Sequence, residues 1–513
     1  MVRTMRDKKA LPWVAAVLAL LFCPSPEVEG AKHPVKARFC EGFYHDLEKT
    51  VGRTDRRDAS VFPVAGFPFL RTTRFLEALR YFVADQAAWE QYLDLMLEEG
   101  MAAISKEVKN LPQADLEALV ERWRAQRGGA PPASMALTEQ ATGVAAACAE
   151  GPMKRLRQMN PFHRLSWHHG TIPSPYRLKR RVLWAYPFWT VPMGVAITGY
   201  KSQVMRSYRT PLMERTPMGE IRWFSPPPES SQPLTHETVR AILEQAARNP
   251  LGIPKMEQDQ LAALAGFYAP ILEQDISGDY DIPGTMVWDD DRIGVDVTRP
   301  AVYYYGTHAL LRGRPALQLN YVTWYTERPP RFVLDPQSGR LHGMTIRITL
   351  TPEGAPAMVD VIHNCGCYHF FFPAPDVFKS VRTELFREDA FVPQWLPTFQ
   401  PPSRLTLRIG SENHWVERVR YDRIGGSSPL PYRLVPYGQL ESLRRKTGER
   451  ESGFDPQGLV KGETERLERF LLFSVGIPQI GSMRQRGHHG TALVGERVFD
   501  DPRLFEKLFF MKE

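Results

Sequence analysis

The sequence predicts an α+β protein, with a mainly α-helical N-terminal region followed by a β-rich C-terminal domain for which a sandwich is one option. Three observations carry this reading. Between Thr73 and Phe267 apolar residues recur with helical spacing, apart from an irregular stretch over 152–232 rich in proline, arginine and aromatics. From Val302 onward, short β-branched and aromatic segments alternate with Gly, Pro and Asp turns. A short basic and apolar leader precedes both. The expected divisions are a signal segment over 1–30, a helical region over 31–270 and a β-rich domain over 271–513.

The leader sets the compartment. Arg3, Arg6, Lys8 and Lys9 stand against one acid, Asp7, and Leu11–Phe22 is almost unbroken apolar sequence. Pro24 and Pro26 follow, and Val28 and Gly30 sit at −3 and −1 of a cleavage point after Gly30. The run is shorter than the about 20 residues needed to cross a bilayer. An uncleaved anchor is the other reading. Phe22 is too large for a lipobox around Cys23. A mature chain starting near Ala31 is therefore expected in the periplasm or outside the cell. The full sequence's hydrophobic fraction of 43% and charged fraction of 24% are ordinary for a soluble globular chain.

The net charge is +7. Export argues against nucleic acid as the partner of this basic chain. The run Arg177-Leu178-Lys179-Arg180-Arg181 leads into Trp184, Tyr186 and Trp189, a basic and aromatic strip suited to contact with an anionic membrane surface. A solvated loop beside a core segment is the alternative, with Val182–Tyr200 as buried core.

In chain order, helices are expected over Thr73–Val83, Asp85–Leu111, Ala114–Arg127 and Leu137–Ala149. Leu111-Pro112, Gly128-Gly129 and Gly151-Pro152 act as stops. Pro131-Pro132 and Pro226–Ser231 read as linkers, and helices follow over Glu237–Arg248 and Glu257–Phe267. Strands are expected over Val302–Tyr305, Ala316–Tyr325, Met344–Leu350 and Ala357–Ile362. The last two should pair across Pro352-Glu353-Gly354, and Arg404–Ile409 with Trp415–Tyr421. Helix returns over Glu463–Phe473 and after Asp501-Pro502. The acidic stretch from Asp275 to Asp296 lacks the spacing of an EF-hand loop and reads as polar surface.

The chemistry concentrates in His363-Asn364-Cys365-Gly366-Cys367-Tyr368-His369, two thiols and two imidazoles in a chain with five cysteines. On one strand, His363 and His369 would lie about 20 Å apart. Convergence therefore needs a turn at Gly366, where glycine reaches φ > 0 at no steric cost. Further ligands are expected from Gly487-His488-His489-Gly490, then from Trp167-His168-His169-Gly170 or His342. A set of His363, Cys365, Cys367, His369, His488 and His489 favours zinc or copper(I).

Three function classes fit. The first is an exported zinc-dependent hydrolase using this cluster. The second is a non-catalytic periplasmic structural or binding protein. The third is a Cys-Gly-Cys thiol oxidoreductase, or a thiol nucleophile with a histidine base. Cys40 and Cys148 form a separate pair, expected as a disulfide or as two buried thiols. There is no Gly-x-Ser-x-Gly, His-Glu-x-x-His, phosphate loop or Gly-x-Gly-x-x-Gly, which argues against the common serine and zinc hydrolases and nucleotide enzymes.

Gly66-Phe67-Pro68-Phe69-Leu70-Arg71, Tyr186-Pro187, Gln318-Leu319-Asn320-Tyr321, the Cys-Gly-Cys string and Gly487-His488-His489 carry a resemblance. On these residues the chain resembles an uncharacterised family of exported proteobacterial proteins. The resemblance implies export and carries no activity with it. Residues 300–372 are also similar to necrosis-inducing and vacuolar-sorting-type β-sandwich proteins. Leu341-His342-Gly343-Met344 stands where those families place metal-binding acids, so this likeness implies architecture only.

Overall fold

The computed structural model describes residues 34–127, 135–160, 164, 172–226, 234–385, 387–400, 403–422 and 429–512. The leader 1–30, Pro131-Pro132, His168-His169 and linker residues 227–231 lie outside the described residues.

The helical region comprises α1 (Pro34–Arg53), the hairpin of β1 (Phe62–Val64) and β2 (Phe67–Thr72), α2 (Arg74–Leu79), α3 (Gln86–Lys109), α4 (Gln113–Arg127) and α5 (Leu137–Arg157). Thr73 and Asp85 cap α2 and α3, accepting from Leu76 N at 3.2 Å and Ala88 N at 2.8 Å. Phe43, Trp89, Leu93, Met96, Leu119 and Trp123 interlock in the core. Cys40 and Cys148 are joined as a disulfide between α1 and α5, with 5.4 Å between their Cα atoms. Helix α5 runs through Gly151-Pro152, the pair expected to end it. Proline removes one N–H from a helix interior, but Met153 and Leu156 beyond it are buried, and Trp89 Nε1 donates to Leu156 O at 2.9 Å.

Next come α6 (Leu178–Leu183), α7 (Tyr186–Arg209), β3 (Glu220–Ser225), α8 (His236–Ala246) and α9 (Gln258–Tyr268). The segment Val182–Tyr200, expected as buried core, lies on the surface. Along α7 only Met193, Ile197 and Val204 are buried.

The β-rich part continues with β4 (Ile271–Ile276), β5 (Thr285–Asp289), β6 (Arg292–Asp296), β7 (Ala301–Leu311), β8 (Arg314–Arg328), β9 (Gly339–Leu350), β10 (Pro356–His363) and β11 (Phe370–Pro373). After it come β12 (Phe378–Val381), β13 (Arg404–Ile409), β14 (Val416–Asp422), β15 (Leu430–Pro431) and β16 (Arg433–Pro436). One six-stranded sheet has the order β11-β10-β9-β8-β7-β16, and one five-stranded sheet the order β14-β13-β4-β3-β15. Leu319, Ile346, Ile348 and Val361 of the first pack with Leu272, Leu405, Leu407 and Val419 of the second in one core. This is face-to-face sheet packing. Val239, Leu243, Leu264 and Ala265 of α8 and α9 join that core.

The two expected hairpins form, with Asp360 opposite Arg347 and Leu407 opposite Val419. The helix expected over Glu463–Phe473 is reduced to one turn, Glu468–Leu471. There the backbone and Arg466 bond outward instead, Glu468 N to Pro336 O at 2.9 Å and Arg466 Nη2 to Leu341 O at 2.8 Å.

Candidate functional site

The Cys-Gly-Cys string is the loop that turns β10 into β11. Gly366 N donates to His363 O at 2.7 Å and His363 N to Cys367 O at 2.9 Å. Gly366 has φ +93°, and a Cβ there would stand 2.5 Å from Gly490 O. No residue with a side chain fits that approach. Asn364 pins the loop to the sheet, its Oδ1 accepting from the Thr345 hydroxyl at 2.8 Å and its Nδ2 donating to Thr323 O at 3.1 Å.

The turn at Gly366 is the one that convergence required, yet the four side chains leave it in different directions. His363 Nδ1 is 3.2 Å from His342 Nε2, and His342 Nδ1 is 2.7 Å from His414 Nδ1. His414 stacks on Tyr325 at 3.9 Å, and its Nε2 lies 3.1 Å from Asp281 Oδ1, within ion-pair range but off the hydrogen-bond direction. This imidazole chain runs between the two sheets. Burial drives His342 and His363 well below the usual imidazole range, and lowers His414.

His369 belongs to another network. Its Nε2–H donates to Asp360 Oδ2 at 2.7 Å, which leaves Nδ1 to accept from the Thr491 hydroxyl at 3.1 Å. Arg347 grips the same carboxylate through Nε at 2.9 Å and Nη2 at 2.7 Å. Burial lowers His369 to about 4 despite Asp360. His488 Nε2–H donates to Ala59 O at 2.6 Å, reaching back to the helical region. His489 Nε2–H donates to Asn364 O at 3.2 Å, and burial lowers it to about 3. Of the six residues expected to share one metal, Cys365, Cys367 and His369 line one cavity, while His363, His488 and His489 bond to His342, Ala59 and Asn364. Among the described residues no group of three or more His, Cys, Asp or Glu side chains is arranged to hold a metal ion.

The two thiols are free, Cys365 buried and Cys367 half-buried. They line a cavity of about 300 Å³ with Tyr368, His369, Glu388 and Glu468. A hydrogen bond from Cys367 holds the Cys365 thiol below its ordinary range against the effect of burial. Donating that bond, then burial and the Cys365 charge, push Cys367 well up. The pair therefore gives up its first proton more easily than its second.

Buried charge surrounds it. Arg466 and Arg484 lie close enough for their charges to act on both thiols. Each has a buried Nε without a hydrogen-bond partner among the described residues. Arg328 is buried with Nε and Nη2 equally unpartnered, and its charge acts on Tyr368 and Glu468. Burial pushes the Glu468 carboxyl up. Cations at this range favour thiolate.

Sequence reasoning missed Arg328, Arg466, Arg484 and Glu468, which come from three separate segments and form no motif. It also missed Arg347 and Asp360, although each left a signal. Each is the one charge within its expected strand segment, Met344–Leu350 or Ala357–Ile362, and the hairpin register places them opposite one another. No family model, no curated protein and no solved structure matches this chain.

Proposed function

We propose that Cys365 and Cys367 form a dithiol–disulfide couple and that the protein is an exported thiol oxidoreductase. One observation carries this reading. The two free thiols act on each other at the wall of a cavity, while each imidazole expected to join them in a metal site is hydrogen-bonded to another partner. The Cys40–Cys148 disulfide supports an oxidising compartment.

The chemistry balances with a disulfide RS–SR as the oxidant. Cys365 thiolate attacks one sulfur, forming Cys365–S–SR and releasing RS⁻. The Cys367 thiol then gives up its proton, for which Glu468 is the nearby carboxylate. Cys367 attacks Cys365 Sγ and expels the second RS⁻, and two electrons have passed to the small molecule. A Cys-Gly-Cys disulfide closes a smaller ring than Cys-x-x-Cys, so the couple should be oxidising, above about −200 mV.

Equilibration in dithiothreitol redox buffers, followed by alkylation and mass measurement, tests this. A reversible loss of two alkylated thiols at Cys365 and Cys367 is expected. Thiols that stay free in oxidised buffer would sink the reading. So would one zinc per chain in untagged protein that disappears in Cys365→Ser, which would restore the metal-site reading.

A further inference from the structure

Helix α7 carries its apolar residues on the wrong side for a water-soluble protein. From Val182 to Tyr200 there is no charged residue. A surface helix normally turns such residues inward. Here Phe188 is 83% exposed, Val191 72% and Val195 70%, with Leu183 and Val182 of α6 equally open. The patch continues across the mouth of the dithiol cavity. Ile197 of α7, Phe332 and Leu471 line that cavity, and Val333, Leu334 and Phe470 beside them are exposed. Trp184 and Trp189 close the seam, both packing edge-on against Phe473. Exposed apolar surface on this scale marks an interaction site.

Charge identifies what covers it. Residues 151–213 contain eleven Lys and Arg and no Asp or Glu, more positive charge than the whole chain's net +7. The basic run divides by direction. Arg181 points inward, bonded to Val475 O at 2.8 Å and stacked between Tyr176 and Tyr186, and so fixes the helix to the body. Arg177, Lys179 and Arg180 point outward. Among the described residues no acidic side chain pairs with these three. An uncharged aromatic and aliphatic face flanked by free cations, with indoles at its edge, is complementary to the headgroup and acyl boundary of an anionic bilayer. A second copy of the chain fits poorly, because a two-fold contact would bring two sets of these cations into one interface, and residues 151–213 supply no Asp or Glu to meet them. Among the described residues no helix is long and apolar enough to cross a membrane, so α7 would lie in the interface plane.

We infer that the face built by α6, α7, residues 332–334 and residues 467–471 docks on an anionic membrane surface. Docked this way, the cavity mouth at Cys365 and Cys367 opens toward lipid. This inference stands whether or not the thiols are redox-active.

The test uses the full chain and hydrogen–deuterium exchange, with and without vesicles. Vesicles are phosphatidylglycerol–phosphatidylethanolamine or phosphatidylcholine. Anionic vesicles should co-sediment the protein and slow exchange in peptides covering 178–199, 330–336 and 467–473. Lys179→Glu/Arg180→Glu should weaken anionic binding at least tenfold while leaving any phosphatidylcholine binding. Phe188→Ser/Val191→Ser/Val195→Ser should weaken both at least tenfold; these side chains are exposed, so the thiol alkylation rate without vesicles should not change. Vesicle protection confined to residues 1–30 would overturn the inference, since the leader would then be the membrane contact. A dimer that the triple variant abolishes, without vesicle binding by the parent, would overturn it too, making the face a protein interface.

Discussion

Removing the Asp360 charge while keeping its shape should loosen the site more than any neighbouring surface change. In Asp360→Asn the guanidinium of Arg347, 2% exposed, loses the carboxylate it grips through two nitrogens and keeps the charge of Asp500 nearby, with no salt bridge between them among the described residues. Breaking a buried pair from one side costs about 3–5 kcal/mol, because the remaining charge cannot return to water. Two contacts place the loss near the lower limit. Arg347 keeps its bond to Phe499 O at 2.7 Å and its place 3.6 Å over the Phe499 ring, and Asn still accepts one bond. A loss of about 3 kcal/mol is roughly a hundredfold in an opening equilibrium. The assay is alkylation of Cys365 and Cys367 in sub-denaturing urea, which reads opening of β10 and its loop directly. Asp360→Asn should speed alkylation about a hundredfold. Arg347→Met added to it should recover most of the loss, since the stranded charge is gone. A single-variant change under about fivefold, or a double variant no better than the single, would refute the reasoning.

Two further outcomes are expected. His369 has its folded pKa lowered to about 4 by burial, against an unperturbed value of about 6.5. The unfolded chain therefore binds the extra proton first, so stability falls as pH drops from about 6.5 to 4, by roughly 3 kcal/mol for this group alone. Urea midpoints across that range should shift less in His369→Gln than in the parent, and parallel shifts would count against it. Cys40→Ser/Cys148→Ser opens a loop with a sequence separation of 108 residues, and losing a native disulfide costs about 2–5 kcal/mol, chain entropy alone accounting for up to about 4.7. Proteolysis within α1–α5 should accelerate accordingly while the β-rich part stays resistant; equal acceleration in both would show that the two parts unfold together.

The α+β order, the β9–β10 and β13–β14 hairpins and most helices were legible because each rests on a local period or turn. Thr345–Leu350 and Ala357–Ile362 around Pro352-Glu353-Gly354 need nothing distant to pair. The need for a turn at Gly366 was also local, following from strand rise alone. The hairpin β1–β2, helix α1 and the course of α5 past Pro152 were not read, since burial against other elements decides them. Val182–Tyr200 was misread for a related reason. Apolar composition says that a segment avoids water, and only the fold says whether protein or another phase covers it.

The same division holds at the site. Sequence by itself determined that two thiols and two imidazoles share seven residues, Cys365 and Cys367 among them, because side-chain type and spacing are written in the chain. Which groups stand around them was decided by tertiary structure alone. Hydrogen-bond geometry sends His363 to His342, His369 to Asp360 and His488 to Ala59, while Arg466, Arg484 and Glu468 arrive from distant segments. Ligand convergence is a property of three-dimensional direction, and residues a few positions apart on a turn can point anywhere the packing sends them.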